Sequence, residues 1–151
     1  VSLGEKLRSL RLFRERGLAM FATPGADWLG QPLAVVPVPD AAVRIEMRSR
    51  HAVEDLRAGE RHGGRIDGVV RDGMARIPRD SVLVVLDGQD RVAGFAAFTF
   101  RRAGGLRRIF QRKRGFDAYV RDYDAAAEYR LVAVRPDATS ALLLGRLPAV
   151  R

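Results

Sequence analysis

Residues 81–100 read SVLVVLDGQDRVAGFAAFTF. Two apolar runs, Val82–Leu86 and Val92–Phe100, flank Asp87, Gly88, Gln89 and Asp90, the residue types that tight turns select. The pattern predicts a β-hairpin. Neither run alternates apolar with polar residues, so both faces of the hairpin need cover, which places it at the centre of a sheet.

Further strands follow on either side. Leu33 to Val38 is apolar but interrupted by Pro37, which confines it to an edge. Val43, Ile45 and Met47 alternate with Arg44, Glu46 and Arg48, the period of a half-buried strand. Glu128 to Val134 and Ala141 to Leu147 are two more strands, joined by a turn at Pro136 to Ser140. Helices are predicted elsewhere. Ser2 and Glu5 have the spacing of a capping box, ahead of Leu3, Leu7, Leu10 and Phe13. Ser49 to Arg61 and Ile66 to Ile77 read as helices, although Gly68 and Gly73 each weaken the second by about 1 kcal/mol. Phe116, Tyr119, Val120 and Tyr123 also recur at helical spacing. The expectation is a single α+β domain over 1–151, with a mostly antiparallel sheet of about six strands in three hairpin-like pairs and flanking helices. The N-terminal helix is expected on one face.

A chain of 151 residues, 47% of them hydrophobic, is long enough to bury one core. It contains no Cys, which excludes disulfides, thiolate metal sites and a Cys nucleophile. The apolar runs fall short of the roughly 18 residues of a membrane helix, and no secretory pattern opens the chain. The expectations are cytoplasmic residence and no membrane partner. Lys6 and Lys113 are the only Lys among 27 cations, an Arg bias that fits a GC-rich genome.

The charge is not evenly spread. Residues 101–115 read RRAGGLRRIFQRKRG and hold Arg101, Arg102, Arg107, Arg108, Arg112, Lys113 and Arg114, with no acid among them. The whole chain has 27 basic and 18 acidic residues, a net of +9; without these seven cations the balance is 20 against 18. Like charges this close repel, so a negative partner is expected to offset them. Gly104 and Gly105 precede Leu106, Ile109 and Phe110, whose spacing predicts a short helix that anchors while the cations project. The element is expected between the second and third hairpins, at an edge of the sheet. Arg forks suit phosphate and carboxylate oxygens. Such a surface positions a nucleic-acid backbone without reading its sequence. No zinc-finger, RRM, KH or zipper pattern is present.

Catalytic motifs are weak. His51 and His62 lie eleven residues apart and lack metal-ligand spacing. Ser49 and His51 stand two apart, which on a helix does not bring them together. Asp87 and Asp90 are turn residues. Leu86-Asp87-Gly88 bears a faint likeness to the first strand of RNase H-like nucleases, which need further carboxylates for two metals; Asp117, Asp122 and Asp124 are candidates, at a spacing that is not diagnostic. Trp28, the only Trp, reads as a packing plug in a loop.

Val82 to Phe98 resembles the central hairpin of GNAT-type N-acyltransferases, and Leu131-Val-Ala-Val-Arg-Pro-Asp137 resembles the following strand. Asp122 to Asp124, Tyr129 and Arg146 to Pro148 are similar to segments of the related acyl-homoserine-lactone synthases. The resemblance implies an acyl-thioester substrate held by a pyrophosphate loop at a helix N-terminus. That loop's Gln/Arg-x-x-Gly-x-Gly/Ala pattern is not matched; Ala138 to Gly145 holds one Gly and reads as a strand.

The expected function is a non-enzymatic module that binds nucleic acid or another polyanion through Arg101 to Arg114, as a subunit of a larger assembly. It needs no cofactor and no metal. Two alternatives stand beside it: a GNAT-like acyltransferase domain, and a homo- or hetero-oligomeric subunit that docks on an acidic protein surface.

Overall fold

The computed structural model describes residues 25–53, 63–99 and 114–150. Eight strands run through them: β1 Val38–Pro39, β2 Arg44–Val53, β3 Gly63–Asp72, β4 Val82–Leu86, β5 Val92–Thr99, β6 Arg114–Val120, β7 Tyr129–Val134 and β8 Ala141–Leu147. They form one sheet in the order β1-β8-β7-β4-β5-β6-β3-β2. Only the β1–β8 pair is parallel; every other neighbour is antiparallel. The helical content of the described residues is two single 3-10 turns, Ala26–Trp28 and Met74–Arg76.

This corrects the α+β expectation. The segment 66–77, read as a helix, is β3 followed by a 3-10 turn. Ile66 and Val70 are β-branched and buried, with Gly68 between them, which is an inward period of two. The segment 116–123 is mostly β6, where Phe116, Ala118 and Val120 point inward and Tyr119 outward. Residues 49–53 belong to β2, not to a helix. The predicted N-terminal helix and the short helix around Leu106 lie outside the described residues. Strand pairing also differs from the expected three hairpins, because the apolar segment 33–38 forms only the short β1 and does not pair with β2.

The hairpin of 82–99 does sit mid-sheet. β4 is buried at all five positions, flanked by β5 and β7. Its alternate residues serve two cores. Leu83 and Val85 face the inner one, with Ile66, Phe116, Leu131 and Leu144. Val82, Val84 and Leu86 face an outer one, with Val132 and Val134, where Trp28, Leu33 and Val35 lie over the sheet as a cover. Trp28 is thus a packing plug. Residue Ala93 is an extra residue in β5: Val85 pairs with Gly94 and Leu86 with Val92. That bulge turns the chain at the start of β5.

β1 and β2 are joined by only four residues, yet they stand at opposite ends of the strand order. Four residues reach no further than about 15–20 Å, so the sheet must curl until its edges meet. They do meet: a Cβ on Gly145 of β8 would touch the Ile45 side chain of β2. The result is a barrel-like sheet with the inner core inside. Its two rims are distinct. The lower rim holds the ends of the 100–113 connection, Thr99 and Arg114, and the loops 73–81 and 135–140. The upper rim holds the turn 87–91 and the loop 121–128. Among the described residues, no helix is long and apolar enough to cross a membrane.

Candidate functional site

Of the seven cations singled out in the sequence, only Arg114 lies within the described residues. It is the first residue of β6, exposed, and level with Val70 of β3. Arg101, Arg102, Arg107, Arg108, Arg112 and Lys113 lie outside them. What is defined is the pair of strands from which their segment leaves and to which it returns. β5 and β6 are adjacent and in register from Gly94–Val120 to Thr99–Gly115. Both are interior strands, and the described ends of the connection, Thr99 and Arg114, stand at the lower rim; the expected edge position of the basic element itself lies outside the described residues.

The lower rim has further arginines. Arg76, Arg79 and Arg135 are exposed on the loops that flank the ends of β3, β4 and β7, with Asp80 and Asp137 beside them. Arg44 is paired with Asp72 at 3.2 Å, and Arg71 with Glu46 at 2.5 Å. A depression of about 340 Å³ lies there, between the turn at Ala42, the end of β3 and the 3-10 turn at Met74–Arg76. Asp137 accepts from the Thr139 amide (3.1 Å) and hydroxyl (2.7 Å), which holds its carboxyl below the usual range.

Among the described residues the catalytic candidates do not gather at one site, and His62 lies outside those residues. Ser49 donates to Asp67 across the β2–β3 pair, and His51 stands two residues further along the same strand, opposite Arg65. Arg65 in turn forks onto Asp117 at 2.8 and 3.2 Å, and that bond raises the guanidinium pKa further. Asp87 accepts from the amides of Gln89 and Arg91, as a turn residue does. Asp124 accepts from the Ala126 amide in the same manner. No cluster of three or more metal-ligating side chains occurs among the described residues. The stretch 138–145 is a turn running into β8, so no helix N-terminus stands there.

Two features went unread in the sequence. One is Arg50, buried inside the upper rim. Its Nε donates to the Tyr123 hydroxyl (2.8 Å), Nη1 to the carbonyls of Leu147 (3.3 Å) and Pro148 (2.7 Å), and Nη2 to the Asp124 carbonyl (2.8 Å). The rings of Tyr123 and Tyr129 lie 5.0 and 5.1 Å from its guanidinium carbon. The other is an apolar cleft of about 300 Å³ on the outer face at the upper rim. It lies between the 3-10 turn at Ala26–Trp28 and the paired strands β5 and β6. Neither had a sequence signal: each depends on which strands become neighbours.

The chain matches no family model, no curated protein and no solved structure.

Proposed function

We propose that the chain is a binding module for nucleic acid or a comparable polyanion, acting through the connection between β5 and β6. The observation that supports this most is the concentration of charge in one stretch of the sequence, between two paired strands. The connection carries six cations between Thr99 and Arg114, Arg114 adds a seventh, and no acid interrupts them. Its two ends are fixed side by side by the β5–β6 ladder. A cationic segment tethered at both ends loses less conformational entropy on binding than a free tail. Arg76, Arg79 and Arg135 stand exposed on the rim that holds Thr99 and Arg114, with Asp80 and Asp137 among them. A phosphate backbone is the partner best suited to such a surface, because each neutralised phosphate releases condensed counterions.

The test is a fluorescence-polarisation titration with labelled single- and double-stranded DNA and RNA at two salt concentrations. The expected result is binding that weakens steeply with salt, with a slope of roughly −0.9 per phosphate contacted on duplex DNA. Replacing Arg107, Arg108, Arg112 and Lys113 with Ala removes four cations and leaves Arg114 in place at the start of β6. That variant is expected to lose binding and keep its melting temperature. Unchanged affinity in a folded variant would refute the reading. Absence of salt-dependent binding in the native chain, together with capture of an acidic protein, would assign the segment to protein docking.

A further inference from the structure

The apolar cleft at the upper rim is built from three parts of the chain. Ala26 and Leu29 form one wall. Phe95 and Tyr119, register partners on β5 and β6, stand on the other side. Ala93, at the bulge, with Gly94 and Val120, completes the lining. A Cβ at Gly94 would run into the β6 backbone at Tyr119 and Val120, so glycine there lets β5 and β6 lie close beneath the cleft. Tyr119 is 49% exposed, a large aromatic left open to solvent above a lining that is almost wholly apolar. A volume of about 300 Å³ is enough for a small organic ligand.

One charged residue is shared between the cleft and its neighbour. Arg121 lines the cleft and also forms part of an adjoining polar depression of about 220 Å³, with Gly30, Arg91, Asp87 and Asp122. Its backbone is fixed by donation from its amide to the Ala93 carbonyl at 2.8 Å. Its guanidinium lies over Gly30, where a Cβ would come within 2.7 Å of Nη2. The ion pair with Asp122 is long, Nε to Oδ2 3.8 Å, with both side chains about half exposed. Asp87 is turned to the amides of its own turn. Arg91 reaches the Gly30 carbonyl at 3.3 Å. An apolar chamber that adjoins, across Arg121, the depression where its guanidinium lies over Gly30 matches a molecule with an alkyl or aryl body and a carboxylate head. The body would bury against Leu29, Phe95 and Tyr119, and the head would take charge-assisted hydrogen bonds from Arg121.

We propose that this cleft is a binding site for a small amphiphilic carboxylate, with the apolar body between Leu29 and Tyr119 and the carboxylate on Arg121. The site is at the opposite rim from Thr99 and Arg114, the described ends of the basic connection, and none of the described residues that line it belongs to the connection.

The test uses the full chain, with octanoate, octanol and octylamine as probes. Titrations followed by amide chemical shifts locate binding, and shifts are expected at Gly94, Tyr119 and Arg121. Octanoate is expected to bind at least roughly tenfold more tightly than octylamine. Arg121→Gln should remove that preference while leaving octanol binding unchanged. Ala26→Trp, which fills the cleft from the 3-10 turn, should abolish binding of all three. Absence of saturable octanoate binding to the native chain would overturn the proposal. So would equal affinity for octanoate and octylamine, or shifts confined to the lower rim. If Arg121→Gln weakened octanol as much as octanoate, Arg121 would be supporting the walls and the carboxylate assignment would fall.

Discussion

Arg50 shows how one extra residue can redirect a side chain. In β2, Ile45 and Met47 point to the inner core, and strict alternation would send Ser49 inward and Arg50 to solvent. The β2–β3 register slips between Met47 and Ser49, where Arg48 has no partner. That bulge reverses the alternation and buries Arg50, which is 8% exposed. A buried guanidinium needs its charge offset. Here the described partners are three backbone carbonyls, one phenol and two ring faces, with no carboxylate among them. The carbonyls belong to the loop after β6 and to the end of β8, so the side chain ties β2 to both. Arg50→Ala strips these acceptors of their donors and is expected to cost about 2–4 kcal/mol in denaturant unfolding. Tyr123→Phe removes one hydrogen bond and keeps the ring, for about 1 kcal/mol. Arg50→Lys should fall nearer to Ala than to the native chain, since an ammonium cannot present the fork to three separate carbonyls. If Arg50→Lys retained full stability, the fork geometry would be irrelevant to the closure.

At the scale of elements, the sequence was legible wherever burial on both faces or strict alternation left one reading. β4 and β8 match the predicted runs Val82–Leu86 and Ala141–Leu147 residue for residue, and β7 differs by one residue at its start. The reading broke down at β3 and β6. Glycines at 64, 68 and 115 remove the side chains that would have displayed a period of two. What remains, Ile66, Val69 and Val70, then Phe116, Tyr119 and Val120, falls by coincidence at helical spacing. The glycines are there for packing: at Gly68 a Cβ would run into the Glu46 carbonyl and the Phe116 ring. Turn chemistry was the more dependable signal. The β7–β8 turn at Pro136 to Ser140 carries Asp137, whose carboxylate is held by Thr139. Its folded pKa is lowered, so its contribution is fully present above the unfolded carboxylate pKa and is lost as the pH falls through the folded value. Asp137→Ala should therefore lower the melting temperature at pH 7, and the gap from the native chain should narrow toward about pH 2. A gap that stayed constant across that range would mean the charge plays no part in the turn.

On the scale of the whole molecule, the property least visible in the sequence is closure. Local patterning predicts strands, but nothing local says that β1 pairs with β8 while β2, four residues later, pairs with β3. The same gap hides that the strands bracketing the basic connection, β5 and β6, are interior ones, because β6 reads locally as a helix. Closure rests on a seam between β2 and β8 that has no backbone ladder among the described residues. Ile45 lies against Gly145, and Arg50 reaches the carbonyls of Leu147 and Pro148. The bare backbone at Gly145 lets the two strands approach. Gly145→Val is expected to push on Ile45, which packs on the inner core and has little room to withdraw. The predicted cost is about 1–3 kcal/mol. Native-state hydrogen exchange should report the loss in β2 first, because β4 and β7 are paired on both sides and buried on both faces. The double variant Gly145→Val, Ile45→Ala isolates the contact. If the seam closes through these two side-chain positions, the second change relieves the first, and the pair is less destabilised than the sum of the single variants by about 0.5–3 kcal/mol. Strict additivity would mean that the sheet holds its curl without this contact, leaving Arg50 as the side chain that closes it.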